Sequence, residues 1–360
     1  MTVILFYPYF STNTTFIWKV DGKFQHYNSL LYFSRYLRGI GKNLLQQHKL
    51  IIPQWDFALG EGGDIFQTLS YYVICDPFAL GSVLCPASKL WLYYDLMILL
   101  RIYLAGLAFS SICFYTQKSI PTAGVLTGAV CYVFCHWTLF CLCKHPFFLN
   151  PLLYLPLILL GVEKVIRKER SALLVVMVFL AGISNFYYFY DYALLTAAYV
   201  ILRLWYPAKK DKNEVLPILG KLFTAALLGA CMAAVILLPE ISAFLSDGRM
   251  GSGTAWHLFY PLSYYAALPG ALFTGEAGYY LYLGYSAPVV LGAFLLLRSK
   301  KEHSVLKGCL LLTALFCLIP AAGQVLNGMS YMCNRWCFAA ALAACFAFSA
   351  VWEKLMAPEK

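Results

Sequence analysis

Long apolar runs separated by short polar links fill most of the chain after residue 90. A helix needs about 20 apolar residues to cross the hydrocarbon core of a bilayer, and fewer where the bilayer thins or other helices line its path. The pattern therefore predicts one membrane-spanning helix in each of seven runs: residues 91–115, 123–143, 152–162, 222–238, 284–297, 305–319 and 336–351. Residues 172–206 are too long for one helix. We expect two short spans there, joined by a turn in the aromatic stretch at 184–190.

Basic residues gather in a few short links between the apolar runs. The links at 163–170, 209–212 and 298–301 carry clusters of Lys and Arg, and such links stay on the cytoplasmic side of a membrane. The other polar segments then share the outer face: residues 19–90 and the links around His145, Asn185, Asp247 and Asn334. About ten helices would lie beneath them, so the sequence predicts an all-α polytopic membrane protein.

This pattern divides the chain into successive parts. We expect residues 1–18 to form the last part of a first transmembrane helix and its outer end. Residues 19–90 form the longest stretch without a span, and we expect an extracytoplasmic loop there that carries the candidate active site. Residues 91–354 predict the transmembrane helical bundle, with a second outer loop at 239–283, and residues 355–360 predict a cytoplasmic tail.

The composition agrees with a membrane protein and argues against several other classes. Hydrophobic residues make up 61% of the 360 residues and charged residues 12%, a balance that no soluble globular domain needs. The net charge of +10 comes from the short links, so we expect the lipid bilayer, and no nucleic acid, as a partner. Most of the 13 Cys lie in apolar runs, where Cys acts as a small hydrophobe. Cys75 and Cys85 lie in the first outer loop, but no pattern supports a disulfide between them.

Two carboxylates in the first outer loop are each followed within four residues by a glutamine: Asp21 by Gln25, and Asp64 by Gln67. We predict that the two carboxylates are catalytic and that the two glutamines bind substrate. Asp21 could act as a general base on an acceptor hydroxyl or hold a divalent cation against a phosphate; the alternative is a solvated loop residue. One helical turn separates Asp21 from Gln25, so both side chains would share a face. Asp64 follows a glycine cluster that lets the backbone approach a ligand, but it also suits a helix N-cap.

Two ionisable residues lie inside the second predicted span. Burying Asp95 or Arg101 without a partner is costly, so both are candidates for function. They are six residues apart and do not share a helix face, so each needs a polar partner from another helix. A structural ion pair and the binding of a phosphate explain each residue equally well. Asp76 precedes Pro77, a position typical of a turn or cap residue.

Four polar residues near the outer ends of later spans could bind a polar substrate. His145 could contribute to binding a lipid phosphate, or act only as a hydrogen-bonding residue. Asn185 precedes tyrosines at 187, 188 and 190, which could stack on a sugar, although we favour a membrane-interface belt for the tyrosines. Asn334 and Arg335 could clamp an anion; the alternative for Arg335 is a side chain that snorkels to the interface. The chain has no P-loop, GxGxxG, HExxH or GxSxG motif, which argues against ATP hydrolysis.

A series of short strings runs in order over nearly the whole chain. They are Asp21-Gly22, Gln25-His26-Tyr27, Gly63-Asp64, Tyr71-Tyr72, Asp76-Pro77-Phe78, residues 145–151, Gly161-Val162-Glu163, residues 184–190, Asn327-Gly328 and Asn334-Arg335-Trp336. Each string alone is weak, but as an ordered set they are specific. The set resembles the bacterial YfhO family.

The resemblance implies a GT-C-like fold, in which the first outer loop of a helical membrane bundle bears amphipathic helices and a catalytic Asp. That position corresponds to Asp21. It also implies transfer of a sugar from a polyprenyl phosphate to a cell-envelope acceptor, such as a teichoic acid, at a bacterial cell membrane. Members are usually much longer, so we expect this chain to be a fragment or a shortened relative.

For such a transfer we expect inversion at the anomeric carbon. Asp21 would deprotonate or orient the acceptor hydroxyl, while cationic groups or a divalent cation would neutralise the leaving lipid phosphate. The cationic candidates are Arg101, His145 and Arg335. Two other classes stay open: a lipid or glycolipid transporter or flippase, with Asp95 and Arg101 lining a path, and an envelope assembly scaffold. No inverted repeat or matching pair of broken helices supports the transporter.

Overall fold

The computed structural model describes residues 2–117, 119–206, 212–246, 256–299 and 303–357. Within these residues the chain is mostly α-helical, as predicted, with short 3-10 turns, one π-helical segment and a two-stranded ribbon. The predicted outer loop around Asp247 lies outside the described residues, as does most of the basic link at 209–212.

The part of the chain before the first long span forms short elements around one longer helix. In chain order they are α1 (Thr2–Leu5), α2 (Tyr7–Ser11), a π-helix (Gly22–Tyr27), α3 (Asn28–Gln47), β1 (Trp55–Asp56), β2 (Gly63–Asp64), α4 (Ile65–Leu69) and α5 (Pro77–Leu80). β1 and β2 pair antiparallel, with Trp55 opposite Asp64. The described residues 2–18 thus contain two short helices where the sequence predicted the end of one. Pro8, in the first turn of α2, has no N–H with which to continue the hydrogen bonds of α1.

The rest of the chain forms the helical bundle. Its α-helices are α6 (Leu90–Thr116), α7 (Thr122–Val133), α8 (His136–Lys144), α9 (Asn150–Ile166), α10 (Ala172–Ser184), α11 (Phe186–Trp205), α12 (Lys212–Met232), α13 (Ala234–Ser246), α14 (Leu262–Thr274), α15 (Ala287–Arg298), α16 (Ser304–Leu318), α17 (Pro320–Val325), α18 (Phe338–Ala350) and α19 (Trp352–Met356). The 3-10 turns lie at Gly81–Leu84, Ala87–Lys89, Pro146–Leu149 and Arg335–Cys337. The long run at 172–206 is divided into α10 and α11 at Asn185, as predicted.

Among the described residues, three helical stretches are long and apolar enough to cross a membrane: Ala87–Thr116, Pro146–Ile166 and Glu214–Met232. A fourth results if α7 and α8, which meet at 42°, form one bent span. Shorter apolar helices lie at Ala172–Ser184, Ala234–Leu245, Ala287–Arg298, Ser304–Leu318 and Arg335–Ala350. The predicted crossing at 222–238 is interrupted at Ala233, between α12 and α13. The total of about ten spans stays a prediction.

α9 lies at the centre of the bundle. In the most apolar 18 residues of the stretch Pro146–Ile166, which contains α9, 89% are buried inside the protein. In the corresponding part of Glu214–Met232 in α12 only 22% are buried, so α12 leaves a wide apolar face for lipid. α9 packs closely on α10 at Gly161, where a Cβ would lie 2.8 Å from Cα of Leu174. Because α9 begins beside His145 and ends beside Arg167, it connects two polar ends of the protein through a buried apolar core.

Candidate functional site

The π-helical segment that follows Asp21 lies against the end of α8, and this contact requires glycine. A Cβ at Gly22 would lie 2.8 Å from the carbonyl oxygen of Cys143 and 3.1 Å from Cβ of Trp18. Any side chain at this position would push the segment away from α8. Gly22 thus allows Asp21, directly before it, to lie beside His145, two residues after Cys143.

Asp21 lies between an amide and an imidazole. Nε2 of Gln25 donates a hydrogen bond of 2.9 Å to Oδ1 of Asp21, which confirms the predicted shared face. Nε2 of His145 lies 3.8 Å from Oδ2 of Asp21. The Asp21 side chain is 30% exposed, so a molecule in solvent can reach a carboxylate that the protein holds in place.

The rings of His26 and His145 are joined by a hydrogen bond. Nε2 of His26 is 2.8 Å from Nδ1 of His145, so one of these nitrogens carries the hydrogen and the other accepts it. Burial lowers the pKa of His26 to about 3 and the pKa of His145 to about 4, although Asp21 opposes the effect at His145. Both rings are therefore neutral near pH 7. In the tautomer of His145 that carries its hydrogen on Nε2, that N–H faces Asp21. Nδ1 of His145 then accepts the hydrogen bond from Nε2–H of His26.

Tyr72 completes this group of side chains. Its OH donates a hydrogen bond to Oε1 of Gln25 at 3.3 Å, and its ring lies 5.5 Å from the ring of His26. Burial, and then the charge of Asp21, raises the pKa of Tyr72, so the hydroxyl keeps its proton near pH 7. We call Asp21, Gln25, His26, Tyr72 and His145 the Asp21 site. Sequence reasoning did not select His26 or Tyr72 as site residues, although both belong to the strings that carry the family resemblance.

Arg335 lies against the same aromatic ring as His145. The rings of His145 and Phe148 stack with their centroids 4.7 Å apart. The guanidinium carbon of Arg335 lies 5.5 Å from the Phe148 centroid and 4.6 Å from the Tyr280 centroid. Nε of Arg335 is buried and has no hydrogen-bond partner among the described residues. Arg335 is therefore a cation held against aromatic faces near the Asp21 site, and its buried Nε–H has no acceptor among the described residues.

The second predicted catalytic carboxylate caps a helix. Oδ1 of Asp64 accepts a hydrogen bond of 2.9 Å from the backbone N–H of Gln67, at the start of α4. This confirms the N-cap alternative. The side chain of Gln67 is exposed, and Asp64 pairs with Trp55 in the ribbon. A catalytic role for Asp64 and substrate binding by Gln67 stay predictions.

Arg101, predicted either to bind substrate or to form an ion pair, forms a buried ion pair. Its Nη2 lies 2.5 Å from Oδ2 of Asp76, and its Nε donates to Oδ1 of Asn150 at 2.8 Å. The guanidinium also lies 4.4 Å from the ring centroid of Phe78. The side chain of Asp76 accepts a hydrogen bond from the backbone N–H of Phe78 and caps α5, as its sequence context indicated. With Arg101 only 2% exposed, these contacts leave it little surface for a substrate phosphate.

Two asparagines predicted to bind substrate are engaged inside the protein. Asn185 caps α11: its Oδ1 accepts from the N–H of Tyr188 at 3.1 Å, and its Nδ2 donates to the carbonyl of Tyr71 at 3.0 Å. Asn334 is fully buried: its Nδ2 donates to the OH of Tyr260 at 3.1 Å, and its Oδ1 accepts from the indole N–H of Trp336 at 3.1 Å. Both amides therefore connect segments of the protein, and their predicted roles in substrate binding stay untested.

The tyrosines after Asn185 turn toward the protein. Tyr188 is 1% exposed, and its ring lies 5.2 Å from that of Phe148. Tyr187 donates to Oδ1 of Asn327 at 3.0 Å. The predicted interface belt is therefore wrong for Tyr188, because the cap at Asn185 starts α11 with this side chain facing the core.

Two acidic residues in the helices have contrasting surroundings. Asp95, which the sequence singled out, accepts the backbone N–H of Phe16 at 3.0 Å and so attaches the segment after α2 to α6. Asp191, which sequence reasoning missed, is fully buried, and neither carboxylate oxygen has a hydrogen-bond partner among the described residues. The signal that identified Asp95, an ionisable residue in an apolar run, applies equally to Asp191.

Within the described ranges, no three His, Cys, Asp or Glu side chains are grouped as a metal site requires. Cys75 and Cys85 are free thiols. The divalent cation considered for Asp21 stays a prediction.

The chain matches one protein family along its whole length. The family is described as bacterial membrane protein YfhO, and the match covers residues 1–360. A curated relative, an uncharacterized protein YfhO from Bacillus subtilis (strain 168), is 26% identical over 338 residues, which cover 84% of this chain and 36% of the relative. The chain therefore spans about a third of the length of that relative. No solved structure matches.

Proposed function

We propose that this chain, which belongs to the YfhO family of bacterial membrane proteins, carries the acceptor-activating site of a membrane glycosyltransferase. The enzyme would move a sugar from a polyprenyl-phosphate donor to a cell-envelope acceptor, such as a teichoic-acid-like polymer, at the outer face of the cell membrane. The supporting observation is the Asp21 carboxylate, 30% exposed and held between Gln25 and His145. Since the chain spans about a third of its relative, the complete reaction is part of the proposal.

The position of the Asp21 site along α9 supports an outward orientation. From Asn150 to Arg167 the helix rises roughly 25 Å at 1.5 Å per residue, close to the ~30 Å thickness of a hydrocarbon core. The basic link at 163–170 includes the C-terminal end of α9, and His145 precedes its N-terminal end. With the basic end in the cytoplasm, the Asp21 site would face the outer side, where an envelope polymer is found.

Asp21 would act as the general base. Its carboxylate takes the proton of the acceptor hydroxyl while the hydroxyl oxygen attacks the anomeric carbon from the side opposite the lipid phosphate. The new bond joins the acceptor oxygen to the anomeric carbon. The bond from that carbon to the phosphate oxygen breaks, and its electron pair leaves with the lipid phosphate, so the configuration inverts. Gln25 and His145 would hold the carboxylate in position during this step.

Arg335 is the cation best placed to stabilise the leaving phosphate. Of the three cationic groups predicted from the sequence, Arg101 is paired with Asp76, and burial keeps His145 neutral near pH 7. Arg335 has an unpartnered Nε and lies against Phe148, the ring on which His145 stacks. Charge-assisted hydrogen bonds from a guanidinium to a phosphate would favour the transition state, in which negative charge develops on the leaving group.

A lipid or glycolipid transporter is the alternative from a different functional class. In that alternative, Asp95 and Arg101 would line a path through the membrane. Asp95 instead accepts a hydrogen bond from the backbone of Phe16, and Arg101 pairs with Asp76. Because both side chains are used to hold segments together, the glycosyltransferase is favoured.

Substitution of Asp21 tests this proposal. In cells that produce the protein, we expect Asp21→Asn to reduce sugar incorporation into the envelope polymer by about 100-fold or more, because general-base catalysis is lost. Asparagine keeps an oxygen for the hydrogen bond from Gln25, so the fold should be preserved. Glu61→Gln is the matched control, since Glu61 is an exposed carboxylate in the same segment. It should leave incorporation unchanged.

Equal sugar incorporation by the native protein and Asp21→Asn, at equal protein abundance, would refute the proposal. If export of a lipid changed while the polymer sugar did not, the transporter would replace the glycosyltransferase. If neither changed, a scaffold would be favoured.

A further inference from the structure

A large cavity lies toward the basic end of α9, away from the Asp21 site. Its volume is about 820 Å³, and it is bounded mainly by α9, α11, α16 and α18. Most of its wall is apolar and includes Leu155, Leu159, Leu342 and Phe346. Its lining on α9 extends from Leu155 to Arg167, roughly 18 Å at 1.5 Å per residue. The cavity is therefore long enough for a hydrocarbon chain that enters more than half of a ~30 Å membrane core.

A cluster of charged side chains lies at the basic end of this cavity. Oε1 of Glu163 accepts hydrogen bonds from Nε of Arg203 at 2.6 Å and from the OH of Tyr199 at 2.8 Å. Nε of Arg167 lies 3.7 Å from Oε2 of Glu163. The Glu163 side chain is 1% exposed, whereas those of Arg167 and Arg203 are 30% and 21% exposed. The carboxylate is thus enclosed and the two guanidinium groups remain accessible, so the cluster presents positive charge.

We propose that this cavity binds an anionic phospholipid, with its phosphate on Arg167 and Arg203 and an acyl chain along α9. Burial of the chain against the apolar wall would favour binding. The planar guanidinium groups match the geometry of a phosphate. The basic end would face the cytoplasmic leaflet, where anionic lipids attract basic residues. The site is separate from the proposed glycosyltransferase site and uses none of its residues.

An isoprenoid phosphate shares this ligand chemistry. In the proposed sugar transfer, however, the phosphate of the isoprenoid donor must reach the Asp21 site, at the other end of α9. We therefore assign the cavity to a glycerophospholipid.

Native mass spectrometry of the detergent-purified protein tests the assignment. Phosphatidylglycerol and phosphatidylcholine with the same acyl chains are added in equal amounts, and the bound lipid is measured. We expect phosphatidylglycerol to be retained at least about fivefold more, because each basic group near an anionic lipid contributes on the order of a fivefold change in binding.

Two pairs of variants locate the bound lipid. Ala198 lines the cavity and is half-buried, whereas Ala197 is exposed on the same helix and lies outside the lining. Ala198→Phe should lose most of the bound phosphatidylglycerol, and Ala197→Phe should retain it. Arg167→Gln should weaken retention about fivefold. Its control, Lys221→Gln, removes an exposed charge that contacts the carbonyl of Glu169 outside the cavity, and should have no effect.

Equal retention of the two lipids, or full retention by both Ala198→Phe and Arg167→Gln, would overturn the proposal. If Ala198→Phe does not fold, as judged by its thermal unfolding, the comparison of Arg167→Gln with Lys221→Gln decides. A competition with polyprenyl phosphate separates the two lipid sources. The assignment would also be overturned if an equal amount of polyprenyl phosphate displaced the bound phosphatidylglycerol and excess phosphatidylglycerol did not restore its binding.

Discussion

Nε2 of His26 and Nδ1 of His145 lie 2.8 Å apart, although 119 positions separate the two residues in the sequence. This hydrogen bond attaches the π-helical segment before α3 to the link between α8 and the central helix α9. His145 also faces Asp21. The carboxylate therefore owes its position to a contact between two distant parts of the chain.

The histidine pair predicts a loss of stability in acid. Burial lowers the pKa of His26 to about 3 and that of His145 to about 4, against about 6.5 in an unfolded chain. Because the folded pKa values are the lower ones, the unfolded state binds more protons below pH ~6.5, and the free energy of unfolding falls as the pH drops from about 6.5 to about 4. We expect each of the two rings to account for a loss on the order of 3 kcal/mol over this pH range.

Thermal unfolding between pH 7.5 and pH 4.5 checks this expectation. The variant His26→Gln/His145→Gln lacks both titrating rings but can still form a side-chain hydrogen bond. Its unfolding temperature should depend less on pH than that of the native protein, because all other titrating groups are the same in the two proteins. Parallel curves for the two proteins would contradict the assignment of buried neutral rings.

The buried pair of Arg101 and Asp76 predicts a large effect of a single substitution. Arg101→Gln leaves the Asp76 carboxylate buried without its cation and should lower the free energy of unfolding by about 3–5 kcal/mol. The double variant Arg101→Gln/Asp76→Asn removes both charges and keeps an acceptor for the cap of α5, so it should recover much of this loss. Thermal unfolding in detergent measures both effects. Equal destabilisation by the single and double variants would show that the charge pair is not the cause.

Asp64 allows its structural role to be separated from a catalytic one. Asp64→Ala removes the cap of α4 and should reduce stability by about 1 kcal/mol, whereas Asp64→Asn keeps a capping oxygen and should be nearly neutral. If Asp64 only caps, Asp64→Asn should also keep normal sugar incorporation. Loss of incorporation in Asp64→Asn with unchanged thermal unfolding would instead support the catalytic role predicted from the sequence.

The close packing of α9 on α10 predicts that a single methyl group at Gly161 is harmful. Its Cβ would lie 2.8 Å from Cα and 2.9 Å from N of Leu174, and backbone atoms cannot move aside without separating the helices. We expect Gly161→Ala to destabilise the protein by about 1–3 kcal/mol. The control is Gly220→Ala in α12, where nothing lies within 4 Å of the new methyl group. It should be neutral or stabilising by up to about 1 kcal/mol in thermal unfolding.

Much of the candidate site was visible in the sequence as local spacing. Asp21 and Gln25 share a face because four residues make one helical turn, and the hydrogen bond between them follows from that spacing. The caps at Asp64 and Asp76 were also visible, because a cap depends on residues within one turn. The roles of Arg101 and Asn334 were open, since their partners lie in other elements that local spacing does not identify.

The sequence by itself determined that the chain is helical and membrane-embedded, and roughly where its helices lie, because the length of an apolar run and the position of basic links are local properties. Only the tertiary structure decided that His26 meets His145, that Asp76 forms an ion pair with Arg101, and that His145 and Arg335 lie against the same aromatic ring. These contacts depend on which helix faces meet. An apolar face packs equally well against many others, so composition and periodicity leave that choice to the packing of the whole chain.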